Sequence, residues 1–200
     1  MTQTLLQIAG VPSHPSPVDR SALILIDPQL EYLDGLLPLE GIDAAVSELK
    51  KLSKLALERS IPTFYVLHQG RPGAAAFDPE GPHVGIIPQL APRDDETIII
   101  KSLPNAFAGT NLHELLQDSG RTELIIAGFA THMCVSATTR AALDFGYRTT
   151  VVANATATRD LPNPIGGETI LARTVHEAAL AALADRFAIV VLDTAALETA

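Results

Sequence analysis

The sequence predicts an α/β protein, a three-layer α-β-α arrangement around a six-stranded, mainly parallel sheet. Two observations predict it. Six short apolar runs alternate along the chain with segments whose apolar residues recur at helical spacing. The runs are also apolar throughout rather than alternating, the mark of strands buried on both faces, and strand-helix-strand alternation closes into a parallel sheet through right-handed crossovers.

ALILID (22–27) is the first strand, stopped by the Asp-Pro that follows it. The stretch 42–60 carries Ile42, Ala45, Val46, Leu49, Leu52, Leu55 and Ala56 on one helical stripe with charges between them. IPTFYVLH (61–68) is the second strand and TIIIK (97–101) the third. Between them, 69–96 holds five prolines and four glycines without periodicity. A loop of that length is expected to serve as a lid or an interface segment.

NLHELLQDSG (111–120) is a short helix closed by glycine, ELIIAG (123–128) the fourth strand, and CVSATTRAALDFG (134–146) a helix closed by Gly146. YRTTVVA (147–153) is the fifth strand. A helix over 168–185 and FAIVVLD (187–193) complete the pattern. Residues 1–200 are expected to form one domain, with 1–19 as a Pro-containing N-terminal arm.

Composition narrows the function. The 200 residues are 47% hydrophobic, enough for a substantial single core. A formal charge of −9 with only 14 Lys and Arg leaves no cationic patch, so neither nucleic acid nor a membrane surface is expected as a partner. Small-molecule chemistry fits better. One cysteine makes no intramolecular disulfide, the start of the chain has no cationic segment running into an apolar core, and a cytoplasmic location is the expectation.

Open parallel sheets bind ligands beyond the carboxyl ends of their strands. Asp27 ends the first strand, Lys101 ends the third, and Cys134 opens the helix after the fourth. Singly, each has an ordinary structural reading: a turn residue, a solvated tip, a small packed thiol. Together they supply a base, a cation and a nucleophile at one sheet edge. A thiol in the first turn of a helix is expected to favour thiolate, because unpaired N–H groups face it.

The order Asp-Pro-Gln, then K-S-x-x-N-A-F-x-G-T, then G-F-x-T-x-x-C-V is narrower still. Over about residues 21–193 the chain resembles the isochorismatase-like cysteine hydrolases, through ILIDPQLEYL, KSLPNAFAGTNLHELL and LIIAGFATHMCVSATTRAALDFGYRTTVVANATATR. The resemblance implies Rossmann-type winding and a catalytic triad of Asp27, Lys101 and Cys134. It further implies a cis peptide between Phe129 and Ala130, and an oxyanion hole from the N–H groups of Ala130 and Cys134.

The activity so implied is hydrolysis of an amide-type C–N bond through a thioester. Two alternatives remain: vinyl-ether hydrolysis, which related proteins perform without this cysteine, and a non-catalytic redox or binding thiol. The resemblance also implies a homo-oligomer, dimer or tetramer; the small residues of the helix at 176–185 suit either a contact between copies, with the loop at 69–96, or packing on its own sheet. The nicotinamidase branch carries a metal-binding Asp-x-His pair after its second strand, and here an apolar residue replaces the Asp. His68 and His83 are therefore read as polar loop residues, and no metal or other cofactor is expected.

Leu30, Tyr32, Phe77, Phe107 and Phe129 are candidates for an apolar substrate wall, and Asn105 and His132 for polar contacts to substrate. Arg159 is a candidate to meet a carboxylate.

Overall fold

A computed structural model describes residues 2–198. Its helices are α1 (Leu5–Ile8), α2 (Ile42–Glu58), α3 (Leu112–Asp118), α4 (Ser136–Asp144), α5 (Ala172–Arg186) and α6 (Ala195–Glu198). Its strands are β1 (Ser21–Ile26), β2 (Thr63–His68), β3 (Thr97–Lys101), β4 (Glu123–Phe129), β5 (Arg148–Ala157) and β6 (Ile189–Val191). All six join one sheet in the order β3-β2-β1-β4-β5-β6, and every ladder is parallel. The expected sheet was mainly parallel, and the described strands are wholly so.

Burial on both faces explains why central strand β1 reads as an unbroken apolar run, while edge strand β3 leaves Ile98 and Ile100 exposed. Leu23 and Leu25 of β1 point into one core with Leu49 and Leu52 of α2, while Ile24 and Ile26 point into the other with Leu112 and Leu116 of α3. At roughly 25 cal/mol per Å² of apolar area, each such side chain contributes about 1.5–3 kcal/mol relative to exposure. The two faces together outweigh anything that helix propensity adds.

Several boundaries differ from expectation, two of them at or beside the site. Cys134 does not open an α-helix: Thr131–Val135 form a π-helical turn, and α4 begins only at Ser136. Strand β5 runs on to Ala157, through a register shift opposite Ile126 and Gly128. The N-terminal arm carries a short helix and packs on the domain. Thr4 and Gln7 form a reciprocal capping box on α1, Leu5 N donates to Asp185 of α5, and Ser16 N donates to Thr150 Oγ1.

Gly128 has a positional reason. Its φ is 113°, and a Cβ there would stand 2.0 Å from the Ile26 carbonyl oxygen. Only glycine lets β4 lie that close to the end of β1, where the site forms. None of the described helices is long and apolar enough to cross a membrane.

Candidate active site

The strand order places the topological switch between β1 and β4, since the chain winds from β1 through β2 to β3 and then resumes on the other side. Asp27 leaves the end of β1 with φ 48°, a left-handed conformation that Asp tolerates better than most residues. Its N–H bonds Val66 O at 2.7 Å, and its own carbonyl takes Gln29 N at 2.8 Å. The strand thereby ends in a tight turn. Across the switch, the turn Thr131–Val135 carries Cys134.

Lys101 starts two strands away from Asp27, at the end of β3. Two inter-strand spacings amount to about 9.6 Å, so only a long side chain spans the gap. It crosses the end of β2, where His68 is its register partner. Its ammonium reaches Asp27 Oδ2 at 2.9 Å, His68 Nδ1 at 3.1 Å and Cys134 Sγ at 3.3 Å. Asp27, Lys101 and Cys134 are 0%, 2% and 4% exposed, so this meeting takes place out of water.

Burial sets the electrostatics. Desolvation holds the Asp27 carboxyl above its usual range, with Lys101 pulling the other way, and its Oδ1 has no hydrogen-bond partner among the described residues. The Cys134 thiol is pushed up to about 12, by burial first and by the Asp27 charge second. This corrects the expectation of a helix-stabilised thiolate, because loss of water outweighs the turn's N–H groups. One cation faces two reluctant acids, so the neutral arrangement leaves a single proton for Asp27 and Cys134 to share.

His68 is driven down to about 4 by burial and by Lys101. It is thus a neutral acceptor. The Asp27, His68 and Cys134 donor atoms lie within 4.8 Å of one another, which is close enough to hold a metal ion. The ammonium of Lys101 already stands within bonding distance of all three, in the place a cation would take.

The Phe129–Ala130 peptide is cis. The Ala130 carbonyl accepts the N–H groups of Met133 at 3.0 Å and Val135 at 3.3 Å, passing over that of Cys134. Beside the cluster, Tyr32 meets Phe77 edge-on at 5.3 Å and Phe129 at 5.9 Å, and Phe77 meets the His68 ring at 4.9 Å. Burial first, and the Asp27 charge second, raise the Tyr32 phenol pKa. Leu30 packs on the same core, half-buried.

The other expected residues divide. His132 Nδ1 sits 2.5 Å from Thr158 Oγ1, and burial together with Arg159 lowers its pKa. Among the described residues Arg159 donates to the Asp160 carbonyl, at 3.1 Å. Asn105 Oδ1 takes the Phe107 N–H at 2.9 Å, closing its own loop. Phe107 belongs to the same buried core as Cys134, and its ring stacks on Phe145 at 4.8 Å and lies 6.1 Å from Tyr147. His83 stays at the surface, 3.9 Å from the Asp34 carboxylate.

Sequence reasoning missed three residues. His68 is the last residue of β2, where the reading of 61–68 as a strand put it, but it was not singled out although the strand-end rule used for Asp27 and Lys101 applied to it equally. Gln29, fully buried, pairs with the His68 backbone through Nε2 to O at 2.9 Å and N to Oε1 at 2.8 Å. Glu31, also buried, accepts Leu36 N at 2.7 Å and Phe77 N at 3.1 Å. Its carboxylate ties 69–96 to the segment after β1, so that loop contributes Phe77 to its own chain's site.

Residues 21–195 match the family model described as an isochorismatase domain. A secreted isochorismatase effector of Verticillium dahliae is 32% identical over 178 residues, 89% of this chain and 90% of that protein. A streptothricin hydrolase of Streptomyces noursei is 32% identical over 170 residues, 84% of this chain and 67% of that protein. The crystal structure of an isochorismatase from Pseudomonas putida superposes with a TM-score of 0.92 at 42% identity, covering 98% of this chain and all of that one. With a family model spanning most of its length, the chain belongs to the isochorismatase family of hydrolases.

Proposed function

We propose that this hydrolase cleaves the amide-type C–N bond of a small molecule, with Cys134 as nucleophile, Asp27 as proton carrier and Lys101 as the cation that holds the charge between them. The observation that carries the reading is the buried ammonium bonded at once to Asp27 Oδ2 and Cys134 Sγ. A buried nucleophile beside a carboxylate with an unpartnered oxygen is the arrangement that proton transfer needs. The relative named streptothricin hydrolase supports a hydrolytic role for this arrangement without specifying the bond.

Because the thiol ionises only near pH 12 by itself, attack is coupled to transfer of its proton to Asp27. The sulfur bonds the carbonyl carbon, and the carbonyl π pair moves onto oxygen. The N–H groups of Ala130 and Cys134 receive that oxyanion. Losing one donor of this kind lowers an acyl-transfer rate about 10²–10³-fold. Asp27 then protonates the departing nitrogen, the C–N bond breaks, and a thioester remains. Water, deprotonated by Asp27, adds to the thioester and releases a carboxylic acid, and the proton returns to sulfur.

Amine or ammonia release from a panel of small amides, ureido compounds and lactams tests the proposal, with Cys134→Ala and Asp27→Asn as controls. An acyl adduct on Cys134, seen by intact mass, would name the acid half of the substrate. Turnover of a vinyl ether alone, with full activity in Cys134→Ala, would overturn the reading.

A further inference from the structure

We infer that His68 is a positioning residue: its neutral imidazole is the third acceptor of the Lys101 ammonium and holds that ammonium on the line between Asp27 and Cys134. The inference rests on the proposed roles of Lys101 and Cys134 and extends them to a residue outside the triad.

An ammonium has three N–H bonds and no acceptor. Lys101 has three partners at bonding distance, Asp27 Oδ2, His68 Nδ1 and Cys134 Sγ. No donor proton is left over, and the orientation of the group is fully determined. Since the lysine only donates, Nδ1 accepts and the ring proton resides on Nε2. That tautomer is dictated by geometry.

The fold holds the ring in place from two sides. Gln29 clamps the His68 backbone with a paired N–H and carbonyl bond, and its Nε2 also reaches Val84 O at 2.7 Å. The edge of Phe77 fixes the ring face, and Phe77 is itself anchored by Glu31. The backbone clamp and the Phe77 contact together set where the imidazole stands. Without the acceptor, one N–H of a buried ammonium goes unmatched, which favours turning the group toward water and away from the sulfur.

Two substitutions separate positioning from packing. His68→Asn keeps an acceptor oxygen near the Nδ1 position and loses the bulk against Phe77, whereas His68→Leu keeps the bulk and loses the acceptor. The readout is the second-order rate of Cys134 alkylation by iodoacetamide at pH 8, which follows thiolate availability and needs no substrate. Thermal midpoints establish that both variants fold.

We expect His68→Leu to slow alkylation about tenfold, the equivalent of one pK unit, and His68→Asn to stay within about threefold of the parent. In a Lys101→Met background His68→Leu is expected to add nothing, because it acts through the lysine. The reverse order, with Asn worse than Leu, or a full additive loss in the Lys101→Met background, would overturn the inference. A parent protein that hydrolyses no amide would sink the proposed reaction, and the ordering of the two alkylation rates would still decide the role of His68.

Discussion

Asp27 and Lys101 form a 2.9 Å ion pair with both side chains wholly out of water, across the end of a strand that belongs to neither. Removing one member of a buried pair typically costs about 3–5 kcal/mol. Lys101→Met has a pH signature, because Asp27 already sits above its ordinary pKa and loses the charge that restrains it. A carboxyl with a raised folded pKa contributes stability that is complete below its unfolded value of 3.8 and is lost as pH rises through the folded value. The variant is therefore expected to lose more stability at pH 8 than at pH 5, by urea denaturation. Equal losses at the two pH values would contradict the pairing.

His68 carries the opposite dependence. Its folded pKa is lowered from 6.5 to about 4, so the unfolded chain binds the proton more readily in that window. Its contribution is present above pH 6.5 and falls away as pH drops toward 4. By NMR the imidazole is expected to remain neutral at about pH 5.5, and a ring already protonated there would contradict the Lys101 contact.

Gly128→Ala tests the close approach of β4 to β1. The new methyl would meet Ile26 O at 2.0 Å with φ already at 113°, so overpacking and backbone strain combine to about 3 kcal/mol or more. Gly41→Ala, also at positive φ but with nothing within 4 Å, is expected to cost only about 1 kcal/mol. Chemical denaturation of the two variants gives the comparison.

Glu31→Gln leaves one oxygen for two N–H donors, since the new amide nitrogen faces a donor. The expected cost is about 1–3 kcal/mol, together with faster hydrogen exchange in 70–87 and a KM raised more than kcat is lowered. Unchanged exchange in that segment would remove Glu31 as its anchor.

The central run was legible because a parallel strand covered on both faces is apolar along its length, and Leu23 to Ile26 show both cores using alternate residues of one run. Asp27, Lys101 and Cys134 were legible by their place at strand ends. Gln29 and Glu31 were not, because a buried polar residue is recognised only by the backbone groups it satisfies, here His68, Val84, Leu36 and Phe77, up to 55 residues away. The surroundings of Phe107 were not legible for a related reason: an aromatic near a sheet edge does not say which rings it packs on, here Phe145 and Tyr147.

By itself the sequence determined the layers, the parallel sheet and the three reactive residue types, since periodicity and strand ends are local properties of the chain. Only the tertiary structure decided the protonation chemistry. Whether Cys134 rests as thiol or thiolate depends on how much water Asp27, His68 and Lys101 exclude from it, and the burial that raises the thiol to about 12 is made by β1, β2, β3 and the turn after β4 acting together.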